Sequence, residues 1–222
     1  AMTETELSMK EAILDEAVTL ACFDGWSQST LRRAAVEAGY SEADADLVFP
    51  RGPVDAVLLH SELVDRYMVA EMETLDLQSM SVRDIVAISL RVRLESQIGN
   101  REAIRKGLRV MADPRHSLDA ARCVGKTVDI VWRLAGDTST DCNYYSKRGL
   151  LVGVYSSTLV FWLNDNSESQ RRTWEFLNHR IRDVLTVGKT LGRFSKIPAE
   201  VPNPFKLFDT ARRRWRDGPV FR

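Results

Sequence analysis

Thirteen residues in the second half of the chain combine the side chains with the most chemical potential: Gly136-Asp137-Thr138-Ser139-Thr140-Asp141-Cys142-Asn143-Tyr144-Tyr145-Ser146-Lys147-Arg148. The Asp, Ser and Thr oxygens suit the start of a helix, where backbone N–H groups need acceptors. Two tyrosines and two cations then occupy its first turns, immediately before fourteen uncharged residues, Leu150 to Leu163 (LLVGVYSSTLVFWL). A guanidinium at the mouth of an apolar channel suits an amphiphile, because Arg148 can fork onto a phosphate while acyl or isoprenoid carbons run along buried helices. Leu151, Val154, Tyr155 and Trp162 are the candidate lining. A second reading stands beside this one: Arg148 pairs with an internal carboxylate or with Asp141.

Catalytic chemistry finds little support. His60, His116 and His179 stand far apart, and no HxxxH or ExxH pair gives metal spacing. Val187-Gly188-Lys189-Thr190 imitates the end of a phosphate-binding loop, but Asp183 stands where the first Gly belongs and the segment leaves a helix, not a strand. No residue set is suited to activate water or a nucleophile, so neither an enzyme nor a cofactor is expected. Cys22, Cys123 and Cys142 lack CxxC spacing and read as unpaired thiols. No basic region followed by an apolar one marks a secretory leader, and a reducing compartment is expected.

The last thirty residues differ from the rest. They hold eight Lys/Arg against three Asp/Glu, a net of +5, which leaves −5 on residues 1–192 of a chain whose total is zero. If Pro204 opens a helix, Phe205, Phe208, Arg212 and Trp215 share a face with Leu207 beside them, while Arg213 and Arg214 reach a headgroup layer. Each cation near an anionic leaflet is worth about 1 kcal/mol, which makes reversible membrane docking the leading expectation. A basic tail, or a helix folded onto the acidic body, is the competing one. The Leu150–Leu163 run is about 21 Å long as a helix against roughly 30 Å of hydrocarbon, too short to span a bilayer. Apolar on nearly all sides, it is expected to lie between other helices or between the subunits of a homodimer.

The elements that position these residues read as all-α. Seven prolines and twelve glycines are few for 222 residues, and the stretches between them have helical periodicity. Helices are predicted at about 7–24, 30–38, from Ser41 to before Pro50, and 54–74. More follow at about 82–98, 100–111, from Asp113-Pro114 to 134, 140–163, and from Ser167 to 187. With the C-terminal amphipathic helix this makes about ten. Residues 6–74 read as a helix-turn-helix-like subdomain and 82–188 as a lipid-binding and dimerisation subdomain. Residues 189–202 read as a linker and 203–222 as the membrane-docking element.

Three short helices and a long one, with the tight Gly39-Tyr40-Ser41 joint, resemble the amino-terminal domain of the tetracycline-repressor family. The third helix would then enter the major groove. Here it reads Ser41-Glu42-Ala43-Asp44-Ala45-Asp46-Leu47, with three carboxylates and no base, which opposes phosphate binding. No nucleic-acid partner is expected, and a ligand-responsive transcription regulator of that family is the alternative function.

The runs VWRLAGDTSTDCNYYSKRGLLVGVYSSTLVFWL, TWEFLNHRIRDV and ILDEAVTLACFDGW resemble the accessory lipid-binding family of coenzyme Q (ubiquinone) biosynthesis, whose fold is tetracycline-repressor-like. The resemblance covers roughly residues 10–190, and GDxSTDxNxYxxR is its specific motif. It implies a non-catalytic homodimer that binds an isoprenoid quinone precursor or a phospholipid. Such a protein docks on a membrane surface and presents the precursor to a ring hydroxylase such as demethoxyubiquinone hydroxylase. By resemblance, Tyr144 and Tyr145 face that partner and Arg148 meets the phospholipid headgroup; the chain departs from the family's pattern at Tyr144 and Cys142, where other aromatics are usual. The implied location is cytoplasmic and peripheral on a bacterial inner membrane, or the matrix side of a mitochondrial one.

Overall fold

A serine at the start of the second helix and another at the start of the third fix the amino-terminal unit. In the computed structural model, which describes residues 4–137 and 142–191, α1 spans Glu4–Asp24, α2 Gln28–Glu37, α3 Glu42–Val48 and α4 Pro53–Glu73. Ser27 Oγ accepts the Thr30 N–H at 3.0 Å and so starts α2. Ser41 and Asp44 form a reciprocal capping box on α3, the Ser41 N–H donating to Asp44 Oδ2 at 2.8 Å. Gly52 must stay a glycine: its φ is +67°, and a Cβ there would lie 2.7 Å from Gln28 Oε1.

The larger part follows as α5 (Val82–Glu95), α6 (Arg101–Met111), α7 (Ser117–Leu134), α8 (Cys142–Asn164) and α9 (Arg171–Leu191). Several ends differ from expectation. The 82–98 helix stops at Glu95, and Ile98–Asn100 forms a separate 3₁₀ turn. Asp113-Pro114 opens a 3₁₀ turn, not α7 itself, because the Asp113 carboxylate accepts the N–H of Arg115 at 2.9 Å and tightens the first turn. At the start of α9, Ser169 and Gln170 take left-handed φ values of 51° and 52°, a strain of about 1–2 kcal/mol per residue. The Asp165 carboxylate offsets it by accepting the N–H groups of Ser167 and Thr173, both at 2.9 Å. Burial pushes that carboxyl up, but Thr173 and Ser167 hold it down at about 2. The described α9 continues through Leu191, beyond the expected end near 187. The 203–222 amphipathic helix, with Phe205, Leu207, Phe208, Arg212, Arg213, Arg214 and Trp215, lies outside the described residues, as do Asp141 and most of the 189–202 linker.

Residues 1–182 form one compact unit in which two cores meet at α6. The first core packs Ile13, Leu14, Leu31 and Phe49 of α1–α3 and the joint after them, and α6 contributes Ala103. Trp26 Nε1 donates to the Ala103 carbonyl at 2.9 Å, and Lys106 Nζ reaches the carbonyls of Cys22 and Phe23, each at 2.8 Å. On its other side α6 sends Arg101 to the carbonyls of Trp162 and Asp165, and Arg105 to that of Leu163. Both sets place cations at the carbonyl end of a helix, where the backbone dipole favours them.

His60 sits at this junction, 6.3 Å from the Trp26 ring centroid and 2.9 Å from Gln97 Oε1. Burial lowers its pKa to about 4. The unfolded chain then binds a proton that the folded one refuses, so stability is complete above pH 6.5 and falls as pH drops toward 4. The loss approaches about 3 kcal/mol. Urea titrations at pH 7.5, 6 and 5 should show this decline in the native chain and a flatter profile in His60→Gln; parallel profiles would refute it.

Candidate functional site

The start of α8 is held against α7 by a cluster of charges around Arg148. Arg148 Nε donates to Asp129 Oδ1 at 2.8 Å, and its Nη1 lies 3.2 Å from Asp137 Oδ2. Asp137 also receives Lys147 Nζ at 3.0 Å, Asp129 receives Arg133 at 2.7 Å, and Trp132 Nε1 donates to the Lys147 carbonyl at 3.1 Å. Burial favours a neutral Asp129, but Arg148 and Arg133 hold its carboxyl below the usual range. Among the described residues Arg148 pairs with the internal carboxylates of Asp129 and Asp137. Tyr145 stands 73% exposed one turn before Arg148; the backbone of Tyr144 belongs to the same turn of α8.

The apolar run does what its composition demands on one face only. Leu151, Val154, Tyr155 and Trp162 are buried, while Gly149, Gly153 and Val160 form a stripe of α8 open to solvent in the single chain. α9 joins α8 through long side chains, with Phe176 stacked on Phe161 at 4.7 Å. Trp174 lies 5.1 Å beneath the Arg91 guanidinium.

Beneath Tyr155 lies a polar centre that sequence reasoning missed. Arg93 of α5 and Asp65 of α4 are both buried and pair at 2.8 Å. Thr127 of α7 donates its hydroxyl to Asp65 at 2.9 Å, Arg93 Nη2 donates to Ser61 Oγ at 2.8 Å, and the Arg93 guanidinium lies 5.2 Å from the Tyr155 ring centroid. Burial opposes the charge on Arg93, but Tyr155 and Asp65 outweigh it. Burial also pushes Tyr155 up to about 12 and raises the Cys123 thiol. The signal was present: Asp65 falls among Val64, Met68 and Met72 on the buried face of α4, and Arg93 beside Leu90 and Leu94 on that of α5. A charge on an apolar face needs a partner. Asp65 also borders a depression of about 420 Å³ whose lining includes Arg66, Val69 and Ala70 of α4 with Lys126 and Ile130 of α7.

Among the described residues no group of three His, Cys, Asp or Glu side chains is placed to hold a metal ion. Cys22 and Cys123 are free thiols. The carboxylates of α3 serve local structure, Asp44 in its cap and Asp46 in bonds from Arg32 Nη2 at 2.9 Å and from Gln28 Nε2.

A helix-turn-helix unit leading through α4 into a larger helical body is the tetracycline-repressor architecture. The chain superposes on the TetR transcriptional regulator from Nitrosomonas europaea with a TM-score of 0.66 at 21% identity, covering 80% of this chain and 98% of that one. Thermus thermophilus FadR, a TetR-family repressor solved with lauroyl-CoA, gives a TM-score of 0.56 at 17% identity, covering 88% and 98%. Within that class, residues 118–188, from α7 into α9 and including the Arg148 cluster, match the COQ9 family. The chain is similar to the probable ubiquinone biosynthesis protein coq9, mitochondrial, of Dictyostelium discoideum, at 26% identity over 203 residues, 84% of this chain and 66% of that one. It is similar also to the mitochondrial ubiquinone biosynthesis proteins COQ9 of Rattus norvegicus and Homo sapiens. Each is 26% identical over 195 residues, 84% of this chain and 62% and 61% of theirs. The match to the COQ9 family model is confined to residues 118–188, and the chain spans about two thirds or less of the length of these relatives.

Proposed function

We propose that the chain is a non-catalytic, lipid-binding accessory protein of ubiquinone biosynthesis. It docks on a membrane and presents a polyprenylated quinone precursor to a ring hydroxylase such as demethoxyubiquinone hydroxylase. The observation that carries this reading is the match over 118–188 to a family whose similar members are named for ubiquinone biosynthesis. The exposed Tyr145 beside Tyr144 offers the hydroxylase an aromatic anchor, the kind of side chain that dominates interface energetics. The open Gly149–Gly153–Val160 stripe supports a homodimer built on α8, since backbones approach closely where side chains are small. No helix among the described residues is long and apolar enough to cross a membrane. The attachment proposed is through Phe205, Leu207, Phe208, Trp215 and the Arg212–Arg214 run, on their amphipathic, basic sequence. The mitochondrial relatives support the matrix face of a mitochondrial membrane, or the inner face of a bacterial one.

A ligand-responsive regulator has the fold neighbours in its favour. The carboxylates of α3 weigh against it, because each opposes the phosphate contacts that give such proteins their affinity. Flotation with anionic phosphatidylglycerol vesicles tests the membrane part of the proposal. Removing residues 203–222 should abolish flotation while helical circular dichroism persists, and salt should weaken the intact chain's binding. Equal flotation of both forms would refute that attachment. Native mass spectra of the purified intact chain should show a dimer carrying isoprenoid or phospholipid; an empty monomer would count against the lipid reading.

A further inference from the structure

Three buried polar atoms in one neighbourhood have no hydrogen-bond partner among the described residues: Thr158 Oγ1, Trp162 Nε1 and Arg101 Nε. Thr158 and Trp162 are both fully buried. Four residues apart on α8, they lie on the same side of the helix. The Arg101 guanidinium sits 5.1 Å from the Trp162 ring centroid, held there by bonds from Nη2 to the carbonyls of Trp162 and Asp165.

Elsewhere among the described residues the same kinds of group are satisfied. Trp26, Trp132 and Trp174 each donate their indole N–H to a backbone carbonyl, at 2.9, 3.1 and 2.9 Å. Ser89 and Ser157 turn their hydroxyls onto the carbonyls four residues earlier, Ile85 and Gly153, at 2.6 and 2.7 Å. Thr158 does not make that local bond. Leaving a buried donor unmet is costly, and native proteins seldom do it without a use for it.

An indole N–H and a guanidinium N–H can only donate, and a hydroxyl can donate as well as accept. We infer that Thr158, Trp162 and Arg101 form a binding site for an oxygen acceptor in the polar head of the bound amphiphile. This inference rests on the lipid-binding reading above and adds to it a specificity element at the buried end of α8. The shared chemistry is a carbonyl or phosphoryl oxygen, which a quinone ring or a phospholipid head can supply. Fixing it here would run the hydrocarbon tail along the apolar face of α8 that carries Leu151, Val154 and Tyr155.

The test uses the delipidated full chain, with binding read by native mass spectrometry and by quenching of tryptophan fluorescence. The probes are a decyl-substituted 1,4-benzoquinone and lysophosphatidylethanolamine. Thr158→Val keeps the shape and removes the hydroxyl; Trp162→Phe keeps an aromatic ring and removes the N–H. Each should weaken at least one probe about tenfold, the value of one good hydrogen bond, and Thr158→Ser should restore binding to the first site. Loss confined to the benzoquinone assigns the oxygen to the ring, and loss confined to the lysophospholipid assigns it to the lipid head. Delipidated Thr158→Val should also melt no lower than the native chain, since it relieves an unmet hydroxyl. Native affinity for both probes in both variants would overturn the inference and leave the lipid reading standing, which is the result expected if these donors hold only a permanent water. A native chain that binds neither probe and carries no lipid would overturn both.

Discussion

Arg93→Leu should cost about 3–5 kcal/mol of folding stability, because it removes one partner of a buried ion pair and leaves the other without countercharge. Asp65 would keep only the Thr127 hydroxyl, at 2.9 Å, and Tyr155 would lose the cation over its ring. For a chain of this size the midpoint of thermal unfolding should fall on the order of 10 °C. The double variant Asp65→Leu/Arg93→Met should recover much of the loss, since well-packed apolar replacements of a buried pair are often neutral or better. Urea unfolding of the two single variants and the double one gives the coupling directly. A loss below about 1 kcal/mol in Arg93→Leu would show that the pair contributes little.

Val154→Glu is the second large effect, and the structure decides its kind. For a helix apolar on nearly all sides, a glutamate at this position is expected to break a dimer or to aggregate the protein. Val154, however, is only 3% exposed within a single chain, so a glutamate there must bury a charge among the residues of its own core. Several kcal/mol are lost, and the chain should unfold and aggregate. Val160→Glu makes the contrast. At 44% exposure on the open face of α8, it should leave circular dichroism intact and convert a homodimer to monomer in light scattering. A Val154→Glu protein that melts with the native chain would contradict the placement of that side chain, and a Val160→Glu dimer would move the dimer face off α8.

The features legible in the sequence were those set by neighbours along the chain. Gly39-Tyr40-Ser41, the Ser41–Asp44 spacing and Pro53 marked the first four helices because turns and caps are written within a few residues. The run from Leu150 to Leu163 announced α8 by composition alone. Partners distant in sequence were not legible. Arg148 pairs with residues 11 and 19 positions earlier, across a turn, and nothing in the spacing singles out Asp129 or Asp137. Asp65 and Arg93 meet across 28 residues on two helices; each sits on an apolar face and so calls for a partner, but nothing in the sequence names which. The unmet donors of Thr158 and Trp162 are further from view still, since a partner's absence can be read only from coordinates.

The eleven-residue α6 gives the amino-terminal unit a second reason to exist. By gripping the ends of both α1 and α8 with Lys106, Arg101 and Arg105, it makes the first fifty residues a foundation for the oxygen-binding end of α8. The outward side chains of α3 are free to vary, even to carboxylates, because none of these bonds passes through them. The helices beneath them are not dispensable, since removing them would unseat the end of α8: the amino-terminal unit serves as masonry.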